Sequence, residues 1–191
     1  MTFHVLHVCT GNICRSPMAE HLMREGLRAR FGAGAAAFQV DSAGTWGHSG
    51  SPMEPHALTT LASYGVDGAG FRARELVVEH VVSADLVLTA AREHRTAAVV
   101  LAPRSASRTF TLREFARLTS VVDPAALPPG DPVERAHALV RAVAGKRGLM
   151  PPDRPKDDDL EDPYQAPAAA FAVCAELVEA TLRGPLDLLA G

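Results

Sequence analysis

The feature that most limits the possible folds of this chain is a short loop, Cys9 to Ser16, that follows a predicted strand and leads into a predicted helix. Residues 3–9 are an apolar run rich in β-formers, and Ser16-Pro17 is typical of a helix cap followed by the first helical residue. The first turn of a helix offers unpaired backbone N–H groups and a partial positive charge. The sequence therefore predicts a strand that ends at an anion-binding turn.

The rest of the chain alternates between strand and helix patterns. Further strands are predicted at 38–42, 84–89 and 108–112, and helices at about 16–31, 55–64, 91–101, 112–118 and 168–183. This alternation is typical of an α/β fold, a three-layer sandwich in which a four-stranded parallel sheet has helices on both faces. Ligands bind such sheets at the carboxyl ends of the strands, and Cys9 is at one of those ends.

Length and composition indicate a single domain over residues 1–191, with an ordinary content of 47% hydrophobic residues. Between about 121 and 159 prolines become frequent and the regular pattern stops, except for one run with helical spacing. We therefore predict a Pro-rich, partly helical insertion at 121–159. A solvated surface segment is the simpler interpretation of this insertion, and a lid that selects the substrate is the alternative.

The charge and the cysteine content limit the partners. A net charge of −3 does not favour nucleic acid or an anionic membrane. The first apolar run, residues 3–9, is too short for a signal peptide, and no later run reaches the roughly 18 residues of a membrane span. Three cysteines do not make a disulfide framework. We expect a cytoplasmic protein, whose oligomeric state the sequence does not indicate.

The loop combines a cysteine with an arginine six residues later. The amides and the guanidinium that would bind a phosphate would also stabilise a thiolate at Cys9. Arg15 can contact two phosphoryl oxygens at once, and Ser16 can donate its hydroxyl to the sulfur. Gly11 permits a positive φ, and Asn12 tolerates the left-handed region. We predict that Cys9 attacks phosphorus; a buried cysteine near an unrelated surface arginine is the alternative.

The letters VCTGNICRSPMAE, residues 8–20, resemble the signature of the low-molecular-weight protein tyrosine phosphatase family. The runs DSAGT at 41–45 and DPY at 162–164 resemble that family's second and third landmarks. The resemblance covers about residues 1–118 and 160–183 and implies the family's four-stranded fold. It also implies a phosphate-binding set made of Thr10, Gly11, Asn12, Ile13, Cys14, Arg15 and Ser16.

The resemblance implies the remaining roles in the reaction. Tyrosine leaves as a phenolate, whose conjugate acid has a pKa near 10, and it therefore needs a proton. Asp162 matches the family's general acid, which would then activate the water that hydrolyses the cysteinyl-phosphate. Taken by itself, Asp162 is one of several acidic residues on a solvated turn.

The walls of the cleft and a redox role are implied in the same way. Tyr164 would form an aromatic wall that stacks on a phenol ring. Trp46 would form the opposite wall, or simply cover the core at the rim. Ile13 would favour an apolar aryl group over a charged guanidinium. Cys14 would form a reversible disulfide with the nucleophile and protect it from over-oxidation.

We therefore predict a protein-tyrosine phosphatase that hydrolyses phosphotyrosine and small aryl phosphates, with a phosphotyrosine-containing protein as its partner. We expect no cofactor and no metal, because the eight histidines show no ligand spacing. The physiological substrate cannot be read from the sequence.

Two related activities remain as alternatives. Arsenate reductases share the fold and the loop, but they need two further cysteines downstream, where this chain has only Cys174. Protein-arginine phosphatases carry threonine where Ile13 stands, although the FTLREF run at 110–115 resembles that branch. The chain departs from the family at one further place: Thr89-Ala90-Ala91 stands where many members carry an acidic residue after the third strand. This departure concerns the support of the loop and leaves Cys9 and Arg15 unaffected.

Overall fold

The computed structural model describes residues 2–191 and contains one parallel sheet. Its strands are β1 (Phe3–Cys9), β2 (Phe38–Gly44), β3 (Leu86–Thr89) and β4 (Thr109–Thr111), in the order β2-β1-β3-β4. β1 pairs with both β2 and β3, which puts the end of β1 between two neighbouring strands. The predicted four-stranded parallel sheet is confirmed, and Cys9 ends one of its two inner strands.

The helices lie on both faces of the sheet. They are α1 (Arg15–Phe31), α2 (Pro55–Ser63), α3 (Val78–Ser83), α4 (Arg92–Leu101), α5 (Leu112–Thr119), α6 (Pro132–Ala144) and α7 (Ala168–Ala190). A large apolar core joins one face to α1, α2, α5, α6 and α7, and a smaller one joins the other face to α3 and α4. No helix within residues 2–191 is long and apolar enough to cross a membrane.

The start of α1 differs from the predicted one. The helix begins at Arg15 with Cys14 as its N-cap residue, and no side chain caps it. Ser16 therefore lies inside the first turn, where its hydroxyl makes contacts within the loop rather than with the helix backbone. The prediction that Ser16 caps this helix was wrong, because the serine hydroxyl is hydrogen-bonded to Cys9 and Asn12 in the loop.

The last helix is longer than predicted. The pattern predicted an end near Arg183, before Gly184-Pro185, but α7 continues to Ala190 with Pro185 inside it. Leu186 and Leu189 are buried on the main core. The burial of these last residues outweighs the local penalty that proline imposes on a helix interior.

The segment 121–159 is more firmly packed than a solvated excursion. Its helix α6 buries Val133, Ala136, Leu139, Val140 and Val143 in the main core. A partly buried ion pair also holds its far end, because Arg117 Nη2 lies 2.8 Å from Asp158 Oδ2. The segment therefore completes the core and delivers residues 159–164 to the end of β1.

Candidate active site

The backbone carbonyls of the loop are turned outward. Backbone N–H groups of Thr45, Trp46, His48 and Glu54 donate to the carbonyls of Cys9, Thr10, Gly11 and Ile13 at 2.9, 2.9, 3.0 and 2.9 Å, respectively. In a planar trans peptide, the C=O and the following N–H point in opposite directions. The N–H groups after these carbonyls therefore point toward the inside of the loop, which makes a concave anion site.

Asn12 is fully buried and holds the loop from within. Its amide nitrogen donates to Ser16 Oγ at 2.9 Å and to Ser42 Oγ at 2.8 Å, and its Oδ1 accepts from the Arg74 N–H at 2.9 Å. Because a backbone N–H can only donate, this last contact determines which end of the amide is the oxygen. Asn12 has a φ of 55°, as predicted for a left-handed position, whereas the positive φ predicted as possible at Gly11 is absent.

Gly44, at the end of β2, is a position where the loop sterically requires glycine. A Cβ there would lie 2.4 Å from the Thr10 carbonyl oxygen and 2.9 Å from the Asn12 nitrogen. Those are backbone atoms that cannot move without distorting the loop. The DSAGT run therefore acts as the platform on which the loop is built.

The Cys9 sulfur lies 2.9 Å from Ser16 Oγ, and both residues are buried. Because Ser16 already accepts from the Asn12 amide, its own proton is available to the sulfur. The chain of hydrogen bonds also extends from Asn12 away from the sulfur. Asn12 donates to Ser42, and Ser42 donates to the carboxylate of Glu20 at 2.5 Å. This buried network orients a hydroxyl donor at the sulfur of Cys9.

The Arg15 guanidinium is almost completely buried and makes three kinds of contact. Its Nη1 donates to the Leu160 carbonyl at 3.1 Å, and its Nη2 donates to Thr10 Oγ1 at 3.2 Å and to Asp162 Oδ2 at 2.5 Å. The Asp162 side chain is 44% exposed, so solvent reaches the carboxylate that faces the arginine. A phosphoryl group bound in the loop would compete with Asp162 for the same nitrogen.

The loop opens into a cavity of about 230 Å³. Its lining consists of Cys9, Thr10, Gly11, Ile13, Cys14, Arg15, Trp46, His48, Asp162 and Tyr164. Trp46 and Tyr164 are exposed at its mouth, and Ile13 is half-buried. A larger cavity of about 730 Å³ lies beyond Asp162, between residues 156–163 and α7, but its walls do not come from the loop.

Sequence reasoning missed two histidines at this site. The ring of His48 lies over Gly11, because a Cβ on that glycine would be 3.2 Å from His48 Cδ2. His94, 2% exposed on α4, places Nε2 at 2.9 Å from Thr10 Oγ1. No local pattern in the sequence links residue 94 to residue 10. Among residues 2–191, no cluster of three or more His, Cys, Asp or Glu side chains could hold a metal ion.

Comparison with known proteins agrees with this geometry. The model of the family described as low molecular weight phosphotyrosine protein phosphatase matches residues 4–146. This range includes the loop, the DSAGT run and helix α6, and it ends before Asp162.

Matches to some individual relatives cover more of the chain than the family model does. A low molecular weight protein-tyrosine-phosphatase of Streptomyces coelicolor is 34% identical over 189 residues, which cover 97% of this chain and 93% of the relative. A protein-arginine-phosphatase of Geobacillus stearothermophilus is 34% identical over 136 residues, 70% of this chain and 84% of the relative. A solved low molecular weight protein tyrosine phosphatase of T. tengcongensis has a TM-score of 0.69 and 29% identity, and covers 97% of this chain and 99% of its own.

Proposed function

The chain belongs to the low molecular weight phosphotyrosine protein phosphatase family, and we propose that it hydrolyses phosphotyrosine in proteins through a phosphorylated Cys9. The observation that carries this proposal is that the Cys9 sulfur, the Arg15 guanidinium and the Asp162 carboxylate all line one cavity. A cytoplasmic location is part of the proposal, since the reaction requires Cys9 in its reduced form.

In the first step, the Cys9 thiolate attacks phosphorus and the bond from phosphorus to the tyrosine oxygen breaks. The inward N–H groups and Arg15 bind the three phosphoryl oxygens, whose charge they balance in the transition state. Asp162 gives a proton to the leaving phenolate. Tyrosine departs, and phosphate is bound to sulfur as a thiophosphate monoester.

In the second step, water attacks the phosphorus of the cysteinyl-phosphate. The Asp162 carboxylate, deprotonated in the first step, now takes a proton from this water. The bond from phosphorus to sulfur breaks, and inorganic phosphate leaves. Ser16 donates its hydroxyl to the sulfur as negative charge returns to it, from the distance of 2.9 Å seen in the structure.

The lining of the cavity favours phosphotyrosine over phosphoarginine. Ile13, Trp46 and Tyr164 offer apolar and aromatic surface to a phenol ring. Among the lining residues within 2–191, Asp162 is the only carboxylate, and it already faces Arg15. The guanidinium of a phosphoarginine substrate would therefore find no second carboxylate among these lining residues with which to pair.

The FTLREF run, which resembles the arginine-phosphatase branch, has a structural explanation here. Thr111 Oγ1 accepts from the Glu114 N–H at 3.0 Å, and the Glu114 carboxylate accepts from the Thr111 N–H at 3.3 Å. These two contacts form a capping box at the start of α5. Because no residue of 110–115 lines the catalytic cavity, this run gives no support to a phosphoarginine substrate at that site.

Substrate preference can be tested at Ile13. We expect wild-type protein to hydrolyse a phosphotyrosine peptide far faster than the matching phosphoarginine peptide. Ile13→Thr should lower the ratio of the two kcat/KM values by about tenfold, the usual effect of removing one apolar contact from a pocket. The measurement is phosphate release from both peptides under identical conditions.

Val100→Thr is the matched control for this substitution, because Val100 is 73% exposed and lies on α4 away from the cavity. Its ratio of kcat/KM values should equal that of the wild type. A wild-type protein that prefers phosphoarginine would reverse the assignment of substrate.

An arsenate-reductase activity is disfavoured by the third cysteine. Cys174 is 6% exposed in the apolar stripe of α7. Burial raises the pKa of its thiol to about 12, so very little thiolate forms at neutral pH. A disulfide relay to the surface needs a reactive and accessible cysteine, which Cys174 is not.

We also propose that Cys14 protects Cys9 from irreversible oxidation. Peroxide would convert the Cys9 thiolate to a sulfenic acid, and the Cys14 sulfur would then attack it, forming a disulfide and releasing water. Burial raises the pKa of the Cys14 thiol well above its ordinary value. Because the attacking form is the thiolate, disulfide formation should become faster as the pH rises.

The expected result is that peroxide inactivates wild-type protein and that added thiol restores it, whereas oxidised Cys14→Ser stays inactive. Cys174→Ser should behave as the wild type does. Intact-mass analysis provides the measurement. Wild-type protein that accumulates sulfinic acid at Cys9, without a Cys9–Cys14 bond, would contradict the proposal.

A further inference from the structure

His94 lies close to the catalytic loop, although 84 residues separate it from Thr10. It belongs to the first turn of α4, which begins just after the carboxyl end of β3. Its Nε2 is 2.9 Å from Thr10 Oγ1, and that oxygen also accepts from Arg15 Nη2 at 3.2 Å. His94, Thr10 and Arg15 therefore form one continuous chain of hydrogen bonds.

Arg15 depends on this chain when Asp162 turns to the leaving group. Of the two acceptors at Nη2, Asp162 is the one that must approach the tyrosine oxygen during the reaction. Thr10 then remains as the protein acceptor that holds Nη2, while the Leu160 carbonyl holds Nη1. The orientation of the Thr10 hydroxyl therefore decides how well Nη2 stays directed at a phosphoryl oxygen.

The charge state of His94 suits this role. Burial, and secondly the Arg15 cation, lower the pKa of His94 to about 4, while Asp162 and Asp159 act in the opposite direction. The Glu93 carboxylate lies 3.5 Å from Nε2. The ring is therefore neutral at neutral pH and can accept the Thr10 proton, which leaves the lone pairs of Thr10 to Arg15.

The other ring nitrogen gives a second indication. His94 Nδ1 is buried and has no hydrogen-bond partner among residues 2–191. A buried polar atom without a partner is costly to folding and calls for an explanation. A histidine at this position is not explained by satisfied packing, but it is explained by the contact that its other nitrogen makes with Thr10.

We propose that His94 is a positioning residue that holds the Thr10 hydroxyl and, through it, directs Arg15 Nη2 at the phosphoryl group. It supplies from α4 the support for the loop that Ala90 and Ala91 cannot supply after β3. This inference rests on the proposed function, because the group it positions is the one that binds phosphate. Binding of inorganic phosphate measures the effect without any turnover.

The test uses calorimetric titration with inorganic phosphate, together with kcat and KM for p-nitrophenyl phosphate. His94→Leu and Thr10→Val should each weaken phosphate binding by about tenfold, as expected when a hydrogen bond that orients a charged group is lost. His94→Gln should stay within about threefold of the wild type, since its amide can reach the place of Nε2. If His94 acted only by packing, glutamine would not be expected to preserve phosphate affinity better than leucine does.

The double variant Thr10→Val/His94→Leu separates positioning from packing. If His94 acts through Thr10, the double variant should bind phosphate within about twofold of either single variant. His7→Leu is the matched control, because His7 is also a buried histidine and its ring is hydrogen-bonded to Met23 and makes no hydrogen bond to the loop. This control should lower the unfolding temperature without changing phosphate affinity by more than about twofold.

Two results would overturn the inference. One is a loss of phosphate affinity in the double variant equal to the product of the two single losses, and the other is an unchanged phosphate affinity in folded His94→Leu. If His94→Leu does not fold, Thr10→Val must still weaken phosphate binding, and His94→Gln must not weaken it further in that background. If wild-type protein binds phosphate but does not hydrolyse phosphotyrosine, the proposed function fails, while weaker phosphate binding in His94→Leu and Thr10→Val still supports the role of His94. Turnover by wild type with unchanged phosphate binding in His94→Leu rejects the role of His94 alone.

Discussion

Replacing Cys9 with serine should reduce the turnover of phosphotyrosine peptides and of p-nitrophenyl phosphate by about 10⁵- to 10⁶-fold, the scale seen when a nucleophile is removed. The proposed mechanism needs a thiolate as the nucleophile, and a serine hydroxyl is a weak nucleophile unless a base activates it. Within residues 2–191 no base is hydrogen-bonded to the Cys9 side chain, whose partner is the Ser16 hydroxyl. Steady-state kinetics provides the measurement.

Two controls make the Cys9 result specific. Cys9→Ser should still bind inorganic phosphate, because the loop amides and Arg15 are unchanged. Cys174→Ser replaces another buried cysteine, in α7, and should keep the turnover of the wild type. Rapid quenching of wild-type protein with substrate should trap phosphate on Cys9. Near-normal activity in Cys9→Ser would end the proposed mechanism.

Replacing Asp162 with alanine should lower kcat on a phosphotyrosine peptide by roughly 10²- to 10⁴-fold, the contribution of a general acid. The loss should be smaller with p-nitrophenyl phosphate, because p-nitrophenolate leaves more readily without a proton. Inorganic phosphate, in contrast, should bind more tightly to Asp162→Ala than to the wild type. Asp162 Oδ2 lies 2.5 Å from Arg15 Nη2, so its removal frees that nitrogen and takes a negative charge away from the anion site.

A fall in kcat together with tighter phosphate binding distinguishes a general acid from a structural residue. Glu161→Gln is the matched control, since Glu161 is the neighbouring exposed carboxylate and does not line the catalytic cavity. Its kinetic constants should equal those of the wild type. If Asp162→Ala keeps the kcat of the wild type on phosphotyrosine, the proton donor is another group.

Much of the site could be predicted from short stretches of sequence, because the residues that form the loop are neighbours in the chain. The strand 3–9, the turn and the helix that follows are local structures with local signals. The left-handed backbone at Asn12 and the contact between Ser16 and Cys9 belong to this group. Asp162, in contrast, was predicted only through its resemblance to a family motif.

Other features could not be predicted because tertiary packing overrides local patterns. Gly184-Pro185 is a typical helix end, yet α7 continues through it because its last residues are buried. The helix in the segment 121–159 was predicted from its spacing, but its place in the main core was not. Helix α3 has only six residues, too few for a clear period.

The sequence by itself determined the parallel sheet, the position of Cys9 at the carboxyl end of the first strand and the residues that form the loop. These follow from hydrophobic periods and turn residues, which act over a few neighbouring positions. Only the tertiary structure decided which distant groups support that loop: Ser42 beneath Asn12, Asp162 against Arg15, and His94 against Thr10. Hydrogen bonds between residues 30 to 147 positions apart leave no local pattern, because they depend on where strands and helices meet in space.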